Sequence, residues 1–433
     1  MPTFAGGIHP PDKKELSQSK PITHVKAPKR VVIPLRQHLG APAKVTVAVG
    51  DGVKAGAVLG TAEGFVSAPV HSSVSGKVIA TGEFPMALGR PIESVVIEND
   101  GKDEWVPLQD DPSYMELPPE VIREKIKAAG IVGMGGATFP TAVKLSPPKE
   151  KKVDVVILNG AECEPYLTAD HRLMIEKPKE VIEGLRIIMR ALGVNRGFVG
   201  IEDNKPDAIE AMQNAARPWP EIRVCALQVK YPQGAEKMLI KAVSGREVPP
   251  RALPMDVGAV VQNIGTTYAI YEAVRFGKPL VERVVTVSGE AIKEPKNLLV
   301  KIGTLVTDLI EECGGLLNGA AKVISGGPMM GFAISSLDVP VTKGTSGILA
   351  LPGSGLFHAD TFGPCIRCSR CVDVCPMALN PGLLSVFAEK GHFEDAKAHN
   401  LFDCFECGSC AFVCPSKRPI VQLVRFAKSM VKP

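Results

Sequence analysis

Residues 365–376 read CIRCSRCVDVCP and residues 404–415 read CFECGSCAFVCP. Both are CxxCxxCxxxCP, the run whose thiolates hold a [4Fe–4S] cluster, with the fourth cysteine ligating the cluster of the other run. The spacing assigns Cys365, Cys368, Cys371 and Cys414 to one cluster, and Cys404, Cys407, Cys410 and Cys375 to the other. Eight of the eleven cysteines fall in these runs, so ligation explains their number and a disulfide framework does not. A chain of 433 residues buries its own core without such staples. Zinc is the competing reading, because CxxC pairs bind it too. It fits less well: zinc takes two pairs per site, whereas here three cysteines crowd together and a fourth precedes proline, in both copies.

The intervening MALNPGLLSVFAEKGHFEDAKAHNLFD places Leu383, Leu384, Val386, Phe387 and Ala396 at helical spacing. The spacing predicts short helices between the runs, and with them a helical ferredoxin-like module.

Composition bounds the rest. The length allows about two to four domains, and 45% apolar residues with few aromatics is ordinary for a soluble globular chain. The start MPTFAGGIHPPDKKELS has no apolar core behind basic residues, and no uncharged apolar stretch reaches about 18 residues. These features predict a cytoplasmic or peripheral protein whose membrane link runs through partners. Thiolate ligands also favour a reducing compartment. A formal charge of +4, with no basic stripe interleaved with aromatics, excludes nucleic acid as a partner.

Along the chain, residues 28–98 alternate β-rich runs with Gly and Pro, the cadence of a small all-β sandwich. It resembles the biotinyl/lipoyl carrier fold through Gly50, Asp51, Val53, Gly56 and Leu59, but the candidate tip GTAEGFVSAP has no lysine to modify. A scaffold without a swinging arm is the expectation. Residues 118–278 then alternate strands with amphipathic helices, predicting an α/β layer with a largely parallel sheet. Within it VDVVILNG reads as a buried strand and EKPKEVIEGLRIIMRALG as a helix ending at Gly193. Residues 279–345 have β-grasp character, resembling a soluble-ligand-binding β-grasp module, with SGGPMMG as a loop. The fold class is thus multidomain α/β, in four regions: 1–117, 118–278, 279–345 and 346–433, the last holding the two clusters.

Four elements of the α/β layer carry candidate binding residues. GMGGATFPTAVKL is neither GxGxxG nor a P-loop, yet Gly133, Gly135 and Gly136 offer bare backbone to a phosphate or planar ring, with Lys144 as a nearby cation. LNGAECEPYLTADHRLM follows a strand, and ligands of open α/β sheets bind at the carboxyl ends of strands. Asn159, Glu162 and Glu164 project there, suited to ribityl and ribose hydroxyls. YPQGAEKMLI adds Tyr231, Gly234 and Glu236, and VQNIGTTYAI adds Gln262 and Asn263.

In this order the elements resemble the FMN and NADH site of the NADH-oxidising subunit of respiratory complex I, whose motifs read GRGGAGFPTGLKW, NADESEPG, YxxGEE and NNVET. The whole chain, from GGIHPP to the two cysteine runs, is similar to the C subunits of the Rnf ion-translocating ferredoxin:NAD oxidoreductase complexes. The resemblance implies that Gly133, Gly135, Gly136, Lys144, Asn159, Tyr231, Gly234, Gln262 and Asn263 surround FMN. It implies that Phe139, Glu164 and Glu236 face NAD(H). Departures from the complex I pattern are Ala161, Cys163 and Ala235, where that family has Asp, Ser and Glu. Implied partners are the other Rnf subunits, among them the iron–sulfur B subunit and integral membrane subunits, with ferredoxin reached indirectly. The implied location is peripheral, at the cytoplasmic face of the inner membrane, with Na⁺ or H⁺ moved by those partners.

A nicotinamide gives up two electrons as hydride and an iron–sulfur cluster takes one at a time, so FMN stands between them as converter. The hydride step needs no side-chain acid or base, and the catalytic set is empty. The competing functions are a soluble NADH-dependent cobalamin reductase with the same parts, and a flavin-free iron–sulfur adaptor. Finally, RPIVQLVRFAKSMVKP predicts a helix from Pro419 with Ile420, Leu423, Val424, Ala427, Met430 and Val431 on one face. Arg418, Arg425, Lys428 and Lys432 lie elsewhere, either as a solvated rim or as a basic face that docks on anionic headgroups or membrane partners.

Overall fold

In the computed structural model, residues 1–353 and 362–432 are described. The N-terminal sandwich pairs two antiparallel sheets. One has the strands Arg30–Pro34, Ile92–Asn99, Gly76–Phe84 and Gly52–Val53, in that order; the other has Lys44–Val45, Val58–Thr61 and Val70–His71. Val31, Ile33, Leu59, Val78, Val95 and Ile97 fill the space between them. The alternate residues Val32 and Val96 face the other way and pack on Leu305 of the third region. At the tip of this scaffold Phe65 is 77% exposed.

The central layer is a four-stranded parallel sheet, ordered Ile222–Leu227, Gly197–Glu202, Val155–Gly160, Ala259–Asn263. Helices cover both faces, which is why Val155–Gly160 reads as a continuous apolar run. On one face Ile122, Ile182, Leu185 and Ile270 pack on Val156 and Leu158; on the other Leu239 and Ile240 pack on Val155 and Ile157. Helix Pro178–Leu192 ends where expected, with Gly193 at φ 67° accepting the left-handed cap that a side chain disfavours.

The third region is a six-stranded mixed sheet with helix Val306–Glu312 against it, Leu309 and Ile310 packing on Val285, Leu298 and Ile348. It reaches past the expected boundaries at both ends. Strand Gly347–Pro352 lies beyond residue 345 and pairs with Glu282–Ser288 and Ala320–Ser325. Strand Ile22–His24, from the N-terminal region, adds a parallel edge beside Lys296–Lys301. Strand pairing between segments so distant along the chain leaves no local pattern to read.

In the C-terminal region the predicted helices between the cysteine runs are Pro381–Glu389 and Phe393–Ala398, the first capped by the Asn380 side chain accepting from Leu383 N. Helix Ile420–Met430 closes the module on Leu384, Ala388 and Ala396 through Ile420, Val421, Val424 and Ala427. Its apolar face is rotated from the expected one: Val421 is buried and Met430 is 54% exposed. Three of the four basic residues are committed, and Lys432 is exposed. Arg418 is buried against Glu389 at 2.6 Å, and Arg425 and Lys428 grip Glu406 at 2.6 and 2.8 Å. Among the described residues no helix is long and apolar enough to cross a membrane.

Candidate functional site

The register of the parallel sheet sets Asn263 beside Asn159 at the carboxyl ends of neighbouring strands. Asn263 caps helix Ile264–Phe276, its Oδ1 accepting from Thr266 N at 3.1 Å while its Nδ2 donates to Asp170 Oδ2 at 2.6 Å. Against this fixed amide lies the glycine loop. A Cβ on Gly135 would stand 2.9 Å from the Asn263 Cβ, so the backbone approaches as closely as it does only because the residue is glycine. Gly136 differs: a Cβ there would meet nothing within 4 Å, and the residue is exposed. The loop closes with Gly133 N–H donating to the Phe139 carbonyl at 2.9 Å.

The other two elements join from the opposite side. Asn159 Nδ2 donates to the Gly234 carbonyl at 2.7 Å, and Gly234 N–H points at Cys163 Sγ, 3.2 Å away. Lys144 Nζ meets Glu236 Oε1 at 2.6 Å, at the start of helix Glu236–Ser244. The four stretches separated in sequence therefore form one set of contacts: Gly135 with Asn263, Asn159 with Gly234, and Lys144 with Glu236. Gln262 is buried with its Nε2 donor unpartnered. A bare, open backbone at Gly136, an orphan amide donor and a lysine fit a flavin mononucleotide, which needs room for a planar ring and donors for its polar chain.

Two predicted carboxylates are otherwise engaged. Glu162 caps helix Ala169–Glu176, its oxygens accepting from Asp170 N at 2.7 Å and His171 N at 3.2 Å. Glu164 accepts Met330 N–H at 2.9 Å and Met329 N–H at 3.0 Å, from the SGGPMMG loop of the third region. Burial pushes its carboxyl up to about 7, with the two amides working against the shift.

Tyr231 is 2% exposed, and its hydroxyl donates to the Cys407 carbonyl at 2.7 Å. The N-terminal strap holds the same joint: Ile8 exchanges backbone hydrogen bonds with Tyr231, and Gly7 N–H donates to the Val374 carbonyl at 2.9 Å. Ile8, Tyr231 and Cys407 form one apolar cluster with Cys163, Met329 and Phe405. Sequence reasoning missed this junction, along with the half-buried Asp170 and the buried Arg283 behind the glycine loop. The usable signals were GGIHPP and SGGPMMG, whose glycines mark close approaches.

A cavity in the C-terminal module is lined by Cys375, Cys404, Cys407 and Cys410, with Leu379, Leu384, Ile420 and Val424 as its apolar wall. The lining brings the last cysteine of the first run to the first three of the second. Burial raises the thiols of Cys404, to about 11, and of Cys410, so four thiolates here call for a cationic core to hold their charge. Leu379 N–H and Glu406 N–H lie 3.4 Å from the sulfurs of Cys375 and Cys404. In the first run, the sulfurs of Cys371 and Cys365 converge on Gly382, where a Cβ would stand 3.2 and 3.9 Å from them. Cys414 packs on the same apolar core as Cys371. Among the described residues no three His, Cys, Asp or Glu side chains are grouped to hold a single metal ion.

Comparison with known proteins matches each region separately. Residues 2–102 match the RnfC barrel sandwich hybrid domain, 126–272 the Nuo51 FMN-binding domain, 284–333 the SLBB domain and 364–417 the 4Fe-4S dicluster domain. The chain is 53% identical over 431 residues to the C subunit of the proton-translocating ferredoxin:NAD(+) oxidoreductase complex of Clostridium ljungdahlii, covering 99% of this chain and 94% of that one. It is 48% identical to the Na(+)-translocating counterpart of Acetobacterium woodii, over 98% of this chain and 96% of that one. It is 46% identical to the C subunit of the ion-translocating oxidoreductase complex of Rhodobacter capsulatus, over 98% and 82%. In fold it is similar to a chain of an NAD+-reducing [NiFe]-hydrogenase, with a TM-score of 0.51 at 18% identity, covering 75% of this chain and 65% of that one.

Proposed function

The chain belongs to the family of C subunits of ion-translocating ferredoxin:NAD(+) oxidoreductase complexes, and from that premise we propose which of its residues exchange electrons with NAD(H) and which pass them on. It is an oxidoreductase subunit with an FMN domain and a two-cluster domain, and full-length identity to these C subunits sets aside the cobalamin reductase and the flavin-free adaptor. Bound FMN supplies the exchange between an electron pair moved as hydride and electrons moved singly. Gly136 leaves room for its ring beside Gly133 and Gly135, Lys144 offsets its negative charge, and Gln262, beside Asn159 and Asn263, offers its unpartnered amide donor to the polar chain. Phe139 and Glu236 position the nicotinamide dinucleotide, while Glu164 holds the Met329–Met330 loop beside them.

Two [4Fe–4S] clusters continue the path, one on Cys404, Cys407, Cys410 and Cys375 and the other on Cys365, Cys368, Cys371 and Cys414. The observation that carries this reading is the Tyr231 hydroxyl on the Cys407 carbonyl, 2.7 Å apart. A residue of the flavin constellation touches a residue of the second cysteine run, so that run's cluster is the neighbour of the flavin. Apolar packing of Ile8, Met329 and Phe405 around Tyr231 lines the gap.

The partners are the iron–sulfur B subunit and the integral membrane subunits, which hold this chain peripherally at the cytoplasmic face of the inner membrane. They also set the coupling ion: relatives of 53% and 48% identity are named for protons and for Na⁺ respectively. The test is NADH titration of the purified full chain under anaerobic conditions, following flavin absorbance and cluster paramagnetic resonance separately. Stoichiometric FMN, bleached by NADH before either cluster signal grows, is the expected result. A chain that releases no flavin on denaturation would refute the reading.

A further inference from the structure

The two cysteine runs are copies of one loop in backbone as well as in spacing. Arg367 and Glu406 occupy equivalent places at φ 59° and 64°, Ser369 and Gly408 follow at 62° and 83°, and Ala378 and Lys417 both stand at 52°. Non-glycine residues adopt such angles rarely, so their recurrence at matched positions marks one loop shape shared by the two halves. Each run then enters a single helical turn, Arg370–Asp373 and Ser409–Phe412, and these turns pack together.

What surrounds the copies differs. In the second, Phe405 packs with Ile8 and Tyr231, Cys407 and Ser409 are buried, and a Cβ on Gly408 would lie 3.0 Å from the Met329 carbonyl. The flavin-bearing part of the molecule thus covers that loop. In the first, the equivalent Ile366 is 62% exposed, and Cys368, Ser369 and Arg370 are exposed with it. Phe412 and Phe362 extend the bare surface, at 52% and 40%. Charge is reversed as well: Glu406, tied to Arg425 and Lys428, corresponds to an exposed Arg367, and Ser409 to an exposed Arg370, with Asp373 the nearby acid.

We propose that the exposed face of the first run, centred on Ile366, Arg367 and Arg370, is the docking surface for an iron–sulfur subunit of the same complex that presents an acidic rim around its own cluster. This rests on the reading that the chain passes electrons between NAD(H) and iron–sulfur partners. One loop of the pair is seated on the flavin region and its twin is bare, which leaves the twin as the way out of the module. The arginines select an acidic partner, and the exposed Ile366 and Phe412 favour a lasting contact between subunits over a passing carrier, because permanent interfaces are the more apolar. Each NAD⁺ reduced to NADH takes two electrons and a proton. Two one-electron deliveries cross this face for each turnover, each oxidising the partner's reduced cluster by one electron, which reduced ferredoxin restores before the next.

The test uses the intact complex in washed membranes. With a photo-crosslinking amino acid in place of Ile366, illumination should join the chain to an iron–sulfur subunit identified by mass spectrometry. A crosslink to a second copy, to soluble ferredoxin, to a subunit without clusters, or to nothing would overturn the proposal. In a second arm, R367E/R370E should lower NAD⁺ reduction driven by reduced ferredoxin by about tenfold or more, while NADH oxidation by ferricyanide, which draws electrons at the flavin, stays within about twofold. An unchanged ferredoxin-driven rate would also overturn it. Wild-type membranes lacking NADH:ferricyanide activity would count against the flavin reading instead, and the crosslink would still decide the docking face.

Discussion

The Tyr231 hydroxyl donates to the Cys407 carbonyl across 2.7 Å, joining the connection between strand Ile222–Leu227 and helix Glu236–Ser244 to the loop of the second cysteine run. Tyr231 is buried and Cys407 is 9% exposed, so no water replaces the donor if it is removed. Tyr231→Phe should cost about 1–3 kcal/mol of stability through the unsatisfied carbonyl. Flavin and iron content should stay at wild-type levels, while passage of electrons from flavin to cluster slows in stopped-flow measurements. A variant that matches wild type in both melting and cluster reduction would dissolve the joint's role.

Cys375 lines the same cavity as Cys404, Cys407 and Cys410. Cys375→Ser should therefore damage the cluster of the second run and spare that of the first, seen as selective loss of one paramagnetic signal. The complementary Cys414→Ser should do the reverse. Loss of the first run's cluster in Cys375→Ser would show that each run keeps its own fourth ligand.

How much of this was legible beforehand differs by region. The cysteine runs carry their chemistry in local spacing, and the α/β layer carries its topology in the alternation of VDVVILNG with amphipathic helices, so both could be read. Contacts that cross regions could not. Glu164 reads as a solvated or ligand-facing carboxylate until the amides of Met329 and Met330 are seen on it. Strand Ile22–His24 pairs with a partner from the third region, and nothing in three residues announces that. The rotation of helix Ile420–Met430 follows from the same limit: Val421 and Met430 are equally apolar, and only the position of the cavity decides which is buried.

The glycine loop separates packing from ligand binding. Gly135→Val would drive a side chain into Asn263 and should cost stability whether or not flavin binds there. The Cβ of Gly136→Val meets no protein atom within 4 Å, and the variant should leave the melt within about 1 kcal/mol of wild type. Flavin content of Gly136→Val should nonetheless fall sharply, because the space it fills is the space assigned to the ring. Full FMN occupancy in that variant would move the site elsewhere.

Glu164 gives the molecule a pH-dependent term. Burial lifts its carboxyl from 4.5 to about 7 in the folded chain, so between those values the folded state binds more protons than the unfolded state. Stability then falls as pH rises through that window and stays lower above it. Glu164→Gln, which keeps one acceptor for the amides of Met329 and Met330, should flatten the slope of melting temperature across the window while adding a constant offset. An identical slope in the variant would assign the titration to another group.

Arg425 and Lys428 of the last helix are turned to Glu406, beside the cluster cavity. Burial works to raise the Glu406 carboxyl, yet hydrogen bonds from Lys428 and Arg425 outweigh it and hold the group ionised. Lys428 Nζ also donates to the Cys404 carbonyl at 2.6 Å. Beside the cavity stand two cations and one anion, a net positive charge that favours the more negative, reduced form of a cluster there. Lys428→Met should remove that excess and lower the potential of the second run's cluster by an amount on the order of tens of millivolts. Paramagnetic resonance during a redox titration reads the shift. Retention in washed membranes should not change, since Lys428 and Arg425 point at Glu406 and Cys404. Release from membranes with an unaltered potential would restore the surface-docking role that the sequence allowed.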